Sequence, residues 1–252
     1  MLRRMQTFRW LDPVGSDKHF WHRYSGFYRD QLSRLGAVRR VVEFGVLDGA
    51  SIRWLRALYP AAEIIGIDRA APEPGWPRDG AIRYLTADQA DEAGLVRALD
   101  AAGPPFDLLI EDGSHLPAHQ ARCLVLGLAR LRRGGLYLAE DLHTALPSHP
   151  LASPAPGALH LLLAIERARA LGRVLDPAER AALTAPGGFT PAELTGLEAR
   201  IATVTLHRRA ELPLACWSCG STAFDPVRLR CGCGAGTSQE GADSLTAAVR
   251  AA

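Results

Sequence analysis

Two short apolar runs in this sequence end in acids. Leu108-Leu109-Ile110 stops at Glu111-Asp112, and Leu136-Tyr137-Leu138-Ala139 stops at Glu140-Asp141. A helix-like run from Pro117 to Arg132 separates them. Short apolar runs around a helical segment predict neighbouring parallel strands of a βαβ unit. Adjacent strands lie roughly 4.8 Å apart, so Asp112, Glu140 and Asp141 are expected to converge at one sheet edge. Three carboxylates placed there repel one another unless a cation or a proton intervenes. Hard oxygen ligands of this kind suit Mg2+ or Mn2+. His115, three residues past Asp112, stands where a base could reach a hydroxyl held by that metal. A plainer reading makes Ser114 the N-cap of the next helix, with Pro117 in its first turn. That reading leaves the metal role open, because two acidic strand ends beside a histidine are hard to explain as solvated caps. His119 is expected on the helix face, and His22 and His143 either line a pocket or face solvent.

The elements that must position these groups come earlier in the chain. Val41-Val42-Glu43-Phe44-Gly45 reads as a buried strand running into Gly45-Val46-Leu47-Asp48-Gly49 and a helix beginning near Ser51. Glycines at a strand-to-helix turn let backbone approach a nucleotide-like ligand closely. The spacing is not G-x-G-x-x-G, which argues against a nicotinamide-dependent dehydrogenase. The next strand, Glu63 to Asp68, ends in an acid about 20 residues on, where ribose hydroxyl recognition is expected. Ile82-Arg83-Tyr84-Leu85 is a third strand, and the pair Asp88-Gln89 at its tip could face an adenine edge. Alternatively, Asp88 caps a helix over Glu92 to Leu99. Gly157 to Leu171 and Asp176 to Ala182 are helical, Thr190 to Leu197 opens with a capping-type Thr-Pro-Ala-Glu, and Ile201 to His207 alternates like a late strand.

Composition bounds the rest. At 252 residues the chain suits one α/β domain with appendages, and a net charge of +2 gives no support for a nucleic-acid footprint. No apolar run reaches membrane-span length and no secretory signal is visible, so a cytoplasmic location is the default expectation. Lys18 is the only lysine and asparagine is absent; a lysine kept where all else is arginine suggests a compact point-charge role. Cys123 falls in the apolar helix pattern and is expected in the core. Cys216, Cys219, Cys231 and Cys233 form two close pairs that read as a Zn2+ thiolate knuckle, or else as an inert tail. The expected organisation is a lid or substrate-side segment over 1–35, a main α/β domain over 36–212 and a cysteine-rich tail over 213–252.

Several of these stretches resemble one family. F-D-L-L-I-E-D-G-S-H with G-G-L-Y-L-A-E-D-L-H-T is similar to the metal-dependent sugar O-methyltransferases of macrolide biosynthesis, of mycinamicin and tylosin type, whose relatives are often labelled rhamnosyl O-methyltransferase or cephalosporin hydroxylase. G-S-D-K, H-x-Y-x-x-x-Y and V-V-E-F-G-V-L-D-G-A-S are similar to the same group. After E-D the family usually continues T-S-Y-W, where this chain has Leu142-His143-Thr144-Ala145. The resemblance implies a Rossmann-like class I fold with helices on both sheet faces, S-adenosylmethionine as cofactor and a Mg2+ site. Asp112, Glu140 and Asp141 then match metal ligands and His115 matches the base. Glu43, Gly45 and Asp68 match cofactor positions, with Lys18, Gly49, Ser51, Asp88, Gln89 and Asp112 grouped beside them. The implied partner is a small hydroxylated molecule, neither nucleic acid nor membrane, with self-association left open. The rival expectation is a non-catalytic methyltransferase-like adaptor that interacts through a zinc-ribbon tail.

Overall fold

The strands form because each is a continuous apolar run that can be covered on both sides. The computed structural model describes Lys18, residues 24–201, Phe224–Asp225 and Arg230–Cys231. In chain order the elements are α1 (Ser25–Leu32), β1 (Arg40–Phe44), α2 (Ala50–Leu58), β2 (Glu63–Asp68), β3 (Ile82–Thr86), α3 (Glu92–Ala101), β4 (Phe106–Glu111), α4 (Pro117–Arg130) and β5 (Leu131–Ala139). A 3-10 turn (Leu142–Ala145) follows, then α5 (Ala158–Ala170), α6 (Pro177–Leu183) and α7 (Pro191–Ile201). Phe224–Asp225 and Arg230–Cys231 (β6 and β7) pair antiparallel.

Strands β1 to β5 make a parallel sheet in the order β3-β2-β1-β4-β5. The chain winds outward from β1 to β3, then returns to place β4 on the other flank of β1. The carboxyl ends of β1 and β4 are therefore a switch point, where open α/β sheets bind ligands. Alternation along β1 divides the core. Val41 faces α1 and α2 with Tyr28, Leu32, Ile52, Trp54 and Leu55. Val42 and Phe44 face the opposite layer of α3 to α7. Helices thus cover both sheet faces, as the fold expectation required.

Two expectations change. The helix after β4 ends at Arg130, and Leu131 already has extended backbone (φ −75°, ψ 138°). The cause lies across the sheet, where Phe106 pairs with Leu131 and Arg132 Nε donates to Asp107. Ile201 closes α7 instead of opening a strand; the rest of that expected strand lies outside the described residues. The described part of the N-terminal segment is a helix packed through its aromatics, which is compatible with the lid reading: α1 buries Tyr28 and Leu32 and stacks Tyr28 edge-on against Trp54 at 5.3 Å. Among the described residues no helix is long and apolar enough to cross a membrane.

Candidate functional site

The turn after β1 is drawn tightly against the end of β4. Gly45 has φ +86°, and a Cβ there would collide with the carbonyl of Asp112, whose own N–H donates to Phe44 O at 3.1 Å. Gly49 has φ +78°, and its Cβ would meet the Pro77 ring. Both glycines are thus required by the protein's own packing. Asp68 holds the turn from the β2 side, accepting from Val46 N and Ala70 N at 2.8 Å each. Asp88 is exposed and accepts from Ala90 N at 2.8 Å; the residue preceding α3 is Asp91, so Asp88 is not its cap.

Beyond β4 and β5 the acids converge: Asp112 and Asp141 gather with His115, and Asp112 also meets Glu140 through Lys18. Ligand atoms of Asp112, His115 and Asp141 all lie within 4.8 Å of one another. His115 Nδ1 is 3.6 Å from Asp141 Oδ2, and Tyr24 OH donates to Asp141 Oδ1 at 3.0 Å. Both His115 (φ +58°) and Asp141 (φ +50°) adopt left-handed backbone, a conformation that costs non-glycine residues about 1–3 kcal/mol and gathers at functional sites. Thr144 Oγ1 secures the bend by donating to His115 O at 2.7 Å and Asp141 O at 2.9 Å. His143 Nδ1 lies 3.8 Å from Asp141, and its ring meets His149 edge-on at 5.4 Å.

Glu140 adjoins this cluster through Asp112, with which it shares the Lys18 ammonium. It is buried beneath α1, where Lys18 Nζ donates to it at 2.6 Å and Tyr28 OH donates to the same oxygen. Lys18 Nζ also donates to Asp112 and lies 3.6 Å from Glu43. Burial pulls the Lys18 ammonium down, but Asp112 and Glu140 outweigh it and hold its pKa well above the usual value. Burial, then the charge of Asp112, pushes Glu140 well above the carboxylate range. Burial likewise raises Glu43 to about 7, although Lys18 and the Ser51 hydroxyl, which donates to it at 2.6 Å, pull the other way. The isolated lysine of the sequence is therefore a buried counter-ion for three acids, and it ties β1, β4 and β5 together.

The far side of the sheet carries a second buried acid that residue spacing did not single out. Glu111 is fully buried, and burial raises it to about 7. Gln89 Nε2 donates to it at 2.9 Å and to Cys123 Sγ at 3.1 Å, while Gln89 Oε1 accepts from Ser114 N at 2.8 Å. This corrects the adenine-edge expectation for Gln89: its amide points inward and clamps the loop that carries Asp112 and His115. Gly113 belongs to the clamp, since a Cβ there would strike the Gln89 amide. Ser114 does not cap α4, which starts after Leu116; its hydroxyl meets His119 Nδ1 at 2.8 Å instead. Cys123 is in the core as expected, with burial pushing its thiol up. Of the proposed zinc ligands, Cys216, Cys219 and Cys233 lie outside the described residues, and only the backbone of Cys231 is described, in β7.

No family model matches the chain. It is similar to the 8-demethyl-8-alpha-L-rhamnosyl tetracenomycin-C 2'-O-methyltransferase of Streptomyces olivaceus, at 36% identity over 140 residues, covering 52% of this chain and 36% of that protein. The mycinamicin VI 2''-O-methyltransferase of Micromonospora griseorubida is 33% identical over 143 residues, covering 54% of this chain and 32% of the relative. The chain thus spans only about a third of the length of these curated relatives. Among solved structures, the MycE methyltransferase from the mycinamycin biosynthetic pathway, in complex with Mg and SAH, has 29% identity and a TM-score of 0.49, covering 57% of this chain and 43% of that one. The homologues are sugar O-methyltransferases, the group that the D-G-S-H and E-D motifs resemble.

Proposed function

We propose that this chain catalyses transfer of a methyl group from S-adenosylmethionine to a hydroxyl of a small molecule, a sugar in a secondary metabolite being the favoured acceptor, with the help of Mg2+ or Mn2+. The observation that carries the reading is the convergence of Asp112, His115 and Asp141 beside the glycine turn, at the switch point of a parallel sheet. The names of the homologues support the methyl-transfer part of it.

The residues fit both groups. Asp112 and Asp141, with ligand atoms within 4.8 Å of each other and of His115, offer oxygen donors for a divalent ion beside that base, and Glu43 Oε2, buried with no hydrogen-bond partner among the described residues, sits one residue from the end of β1. When bound, the ion makes the acceptor hydroxyl more acidic, and the sulfonium supplies an electrophilic methyl carbon to its oxygen. Asp112 and Asp141 would hold the ion. Glu140, which shares the Lys18 ammonium with Asp112 and accepts from Tyr28, is the third carboxylate of the expected set and also anchors Asp112. His115 would take the hydroxyl proton as the methyl carbon passes from sulfur to oxygen, the S–C bond breaking to leave S-adenosylhomocysteine, and Asp141 Oδ2, 3.6 Å from Nδ1, would stabilise the resulting imidazolium. Asp68 shapes the cofactor turn through Val46 and Ala70.

The test is turnover of rhamnosylated acceptors with S-adenosylmethionine. Chelation should abolish it and Mg2+ or Mn2+ should restore it. His115→Ala should lower kcat by about 10²- to 10⁴-fold, the usual contribution of a general base. Turnover that persists in EDTA, or an unaffected His115→Ala enzyme, would refute the mechanism.

A further inference from the structure

The opposite end of the sheet carries a feature that methyl transfer does not use. A cavity of about 760 Å³ opens at the amino ends of β1, β4 and β5, between Arg34, Arg39, Arg40, Arg132 and Asp107. Its volume is that of a small-molecule pocket. Four guanidiniums against Asp107 and the Glu63 that pairs with Arg40 leave a local excess of about two positive charges. An arginine-rich composition scatters cations over a surface; it does not by itself gather them around one concavity.

The acids nearby are already committed. Asp107 accepts from Arg39 N at 2.8 Å and Arg40 N at 2.9 Å, and its other oxygen takes Arg132 Nε. Arg40 Nε pairs with Glu63 at 3.0 Å, and its Nη1 donates to Gly103 O. Arg34 spends Nε on the backbone carbonyl of Asp30 at 3.3 Å. Neither Arg34 nor Arg39 has a carboxylate within 4.0 Å among the described residues. Gly36 and Ala37, between them in the chain, put no bulky side chain into the space.

We propose that this cavity is a binding site for a small organic polyphosphate, held by Arg34 and Arg39 at its mouth and by Arg132 at its floor. Guanidinium forks match phosphate oxygens bidentately, and Arg34 and Arg39, the two without a carboxylate within 4.0 Å among the described residues, can each take one phosphate group of the ligand. A concave pocket favours a compact ligand over a nucleic-acid strand, which would need an extended basic track with stacking aromatics. The site lies a strand length, about 15–20 Å, from Asp112. Its ligand is therefore a separate molecule from the one being methylated, and it acts as an anchor or effector.

Calorimetry on the full chain tests this, with EDTA and saturating S-adenosylhomocysteine present so that neither a metal nor the cofactor turn captures the probe. Pyrophosphate should bind at least tenfold more tightly than inorganic phosphate at matched ionic strength. The double variant Arg34→Gln/Arg39→Gln, both exposed positions that leave Asp107 and its partners intact, should weaken pyrophosphate at least tenfold. Thermal denaturation of that variant should match the parent. Equal binding by parent and variant, equal affinity for phosphate and pyrophosphate, or heat reproduced by sodium chloride alone would overturn the proposal. So would a single-stranded RNA oligomer that binds more tightly than pyrophosphate and loses as much in the variant.

Discussion

Glu43 and Glu111 are the same kind of residue in the same kind of place, and the sheet treats them differently. Each is fully buried near the carboxyl end of a central strand, and burial raises each to about 7. Glu43 lies on the α1 side, where a buried ammonium and a hydroxyl answer it. Glu111 lies on the α4 side, where Gln89 answers it and its Oε2 has no hydrogen-bond partner among the described residues. One face solves a buried charge with an opposite charge, the other with a neutral amide. The loop bearing Asp112 and His115 is gripped between them, by Lys18 from one side and by Gln89 through Ser114 N from the other.

Removing the cation should break the comparison most severely. Lys18→Met leaves Glu43, Asp112 and Glu140 without their counter-ion in a buried space. Losing one partner of a buried ion pair typically costs about 3–5 kcal/mol. Urea unfolding at pH 7 in EDTA should show a loss of that order, shrinking at pH 5 as Glu43 and Glu140, both raised by burial, take up protons. A variant as stable as the parent would mean that Lys18 is not the counter-ion.

The neutral solution makes a prediction of the opposite sign. Glu111 is raised in the folded state, so the stability it contributes is present below the ordinary carboxyl pKa and is lost as pH rises to about 7. A shift from 4.5 to about 7 corresponds to about 3 kcal/mol. Glu111→Gln should therefore remove that fall. Relative to the parent it should gain about 3 kcal/mol between pH 4.5 and pH 8, measured by urea unfolding in EDTA. A flat difference across that range would show that the two faces are not matched in the way described.

These two acids also show what the sequence made legible. The sheet was readable because buried parallel strands are uninterrupted apolar runs, and Val41, Ile64, Ile65, Leu108 and Ile110 are all fully buried. The capping start at Thr190 was readable too: Glu193 N donates to Thr190 Oγ1 at 3.2 Å and Thr190 N to Glu193 at 2.7 Å. The acids at the two strand ends were readable as neighbours, since Asp112 shares Lys18 with Glu140 and lies within 4.8 Å of Asp141. What the sequence could not convey was the left-handed backbone at His115 and Asp141, which turns those side chains toward Asp112. Nor could it place Lys18, whose partners lie as many as 122 positions away along the chain.

The clamp itself should give a smaller loss with a distinctive signature. Gln89→Leu strips Glu111 of its donor and Ser114 N of its acceptor. Leaving such buried groups unpaired costs about 1–3 kcal/mol. A purely structural role would stop there. A positioning role also weakens Mn2+ binding by about 10- to 100-fold, the usual effect of removing support behind a ligand, because the 112–115 loop loses its hold on Asp112 and His115. Gln89→Asn should recover part of the metal affinity. Calorimetry with Mn2+ separates the outcomes, and unchanged affinity in Gln89→Leu would reduce the clamp to packing.

The mildest change lies on the charged face. Ser51→Ala removes the hydroxyl that donates to Glu43 at 2.6 Å but leaves Lys18 beside the same oxygen at 3.6 Å. One donor lost where a cation remains should cost about 1 kcal/mol, less than the loss of the sole side-chain donor to Glu111 on the other face. Because the hydroxyl pulls Glu43 down, its removal should also move that carboxyl further up, so that Glu43 keeps its proton to higher pH. A proton titration of Glu43 followed by NMR in parent and variant reads this directly. If Ser51→Ala instead proves as costly as Gln89→Leu, the ammonium contributes little to Glu43, and the two faces manage their buried acids by hydrogen bonding alone.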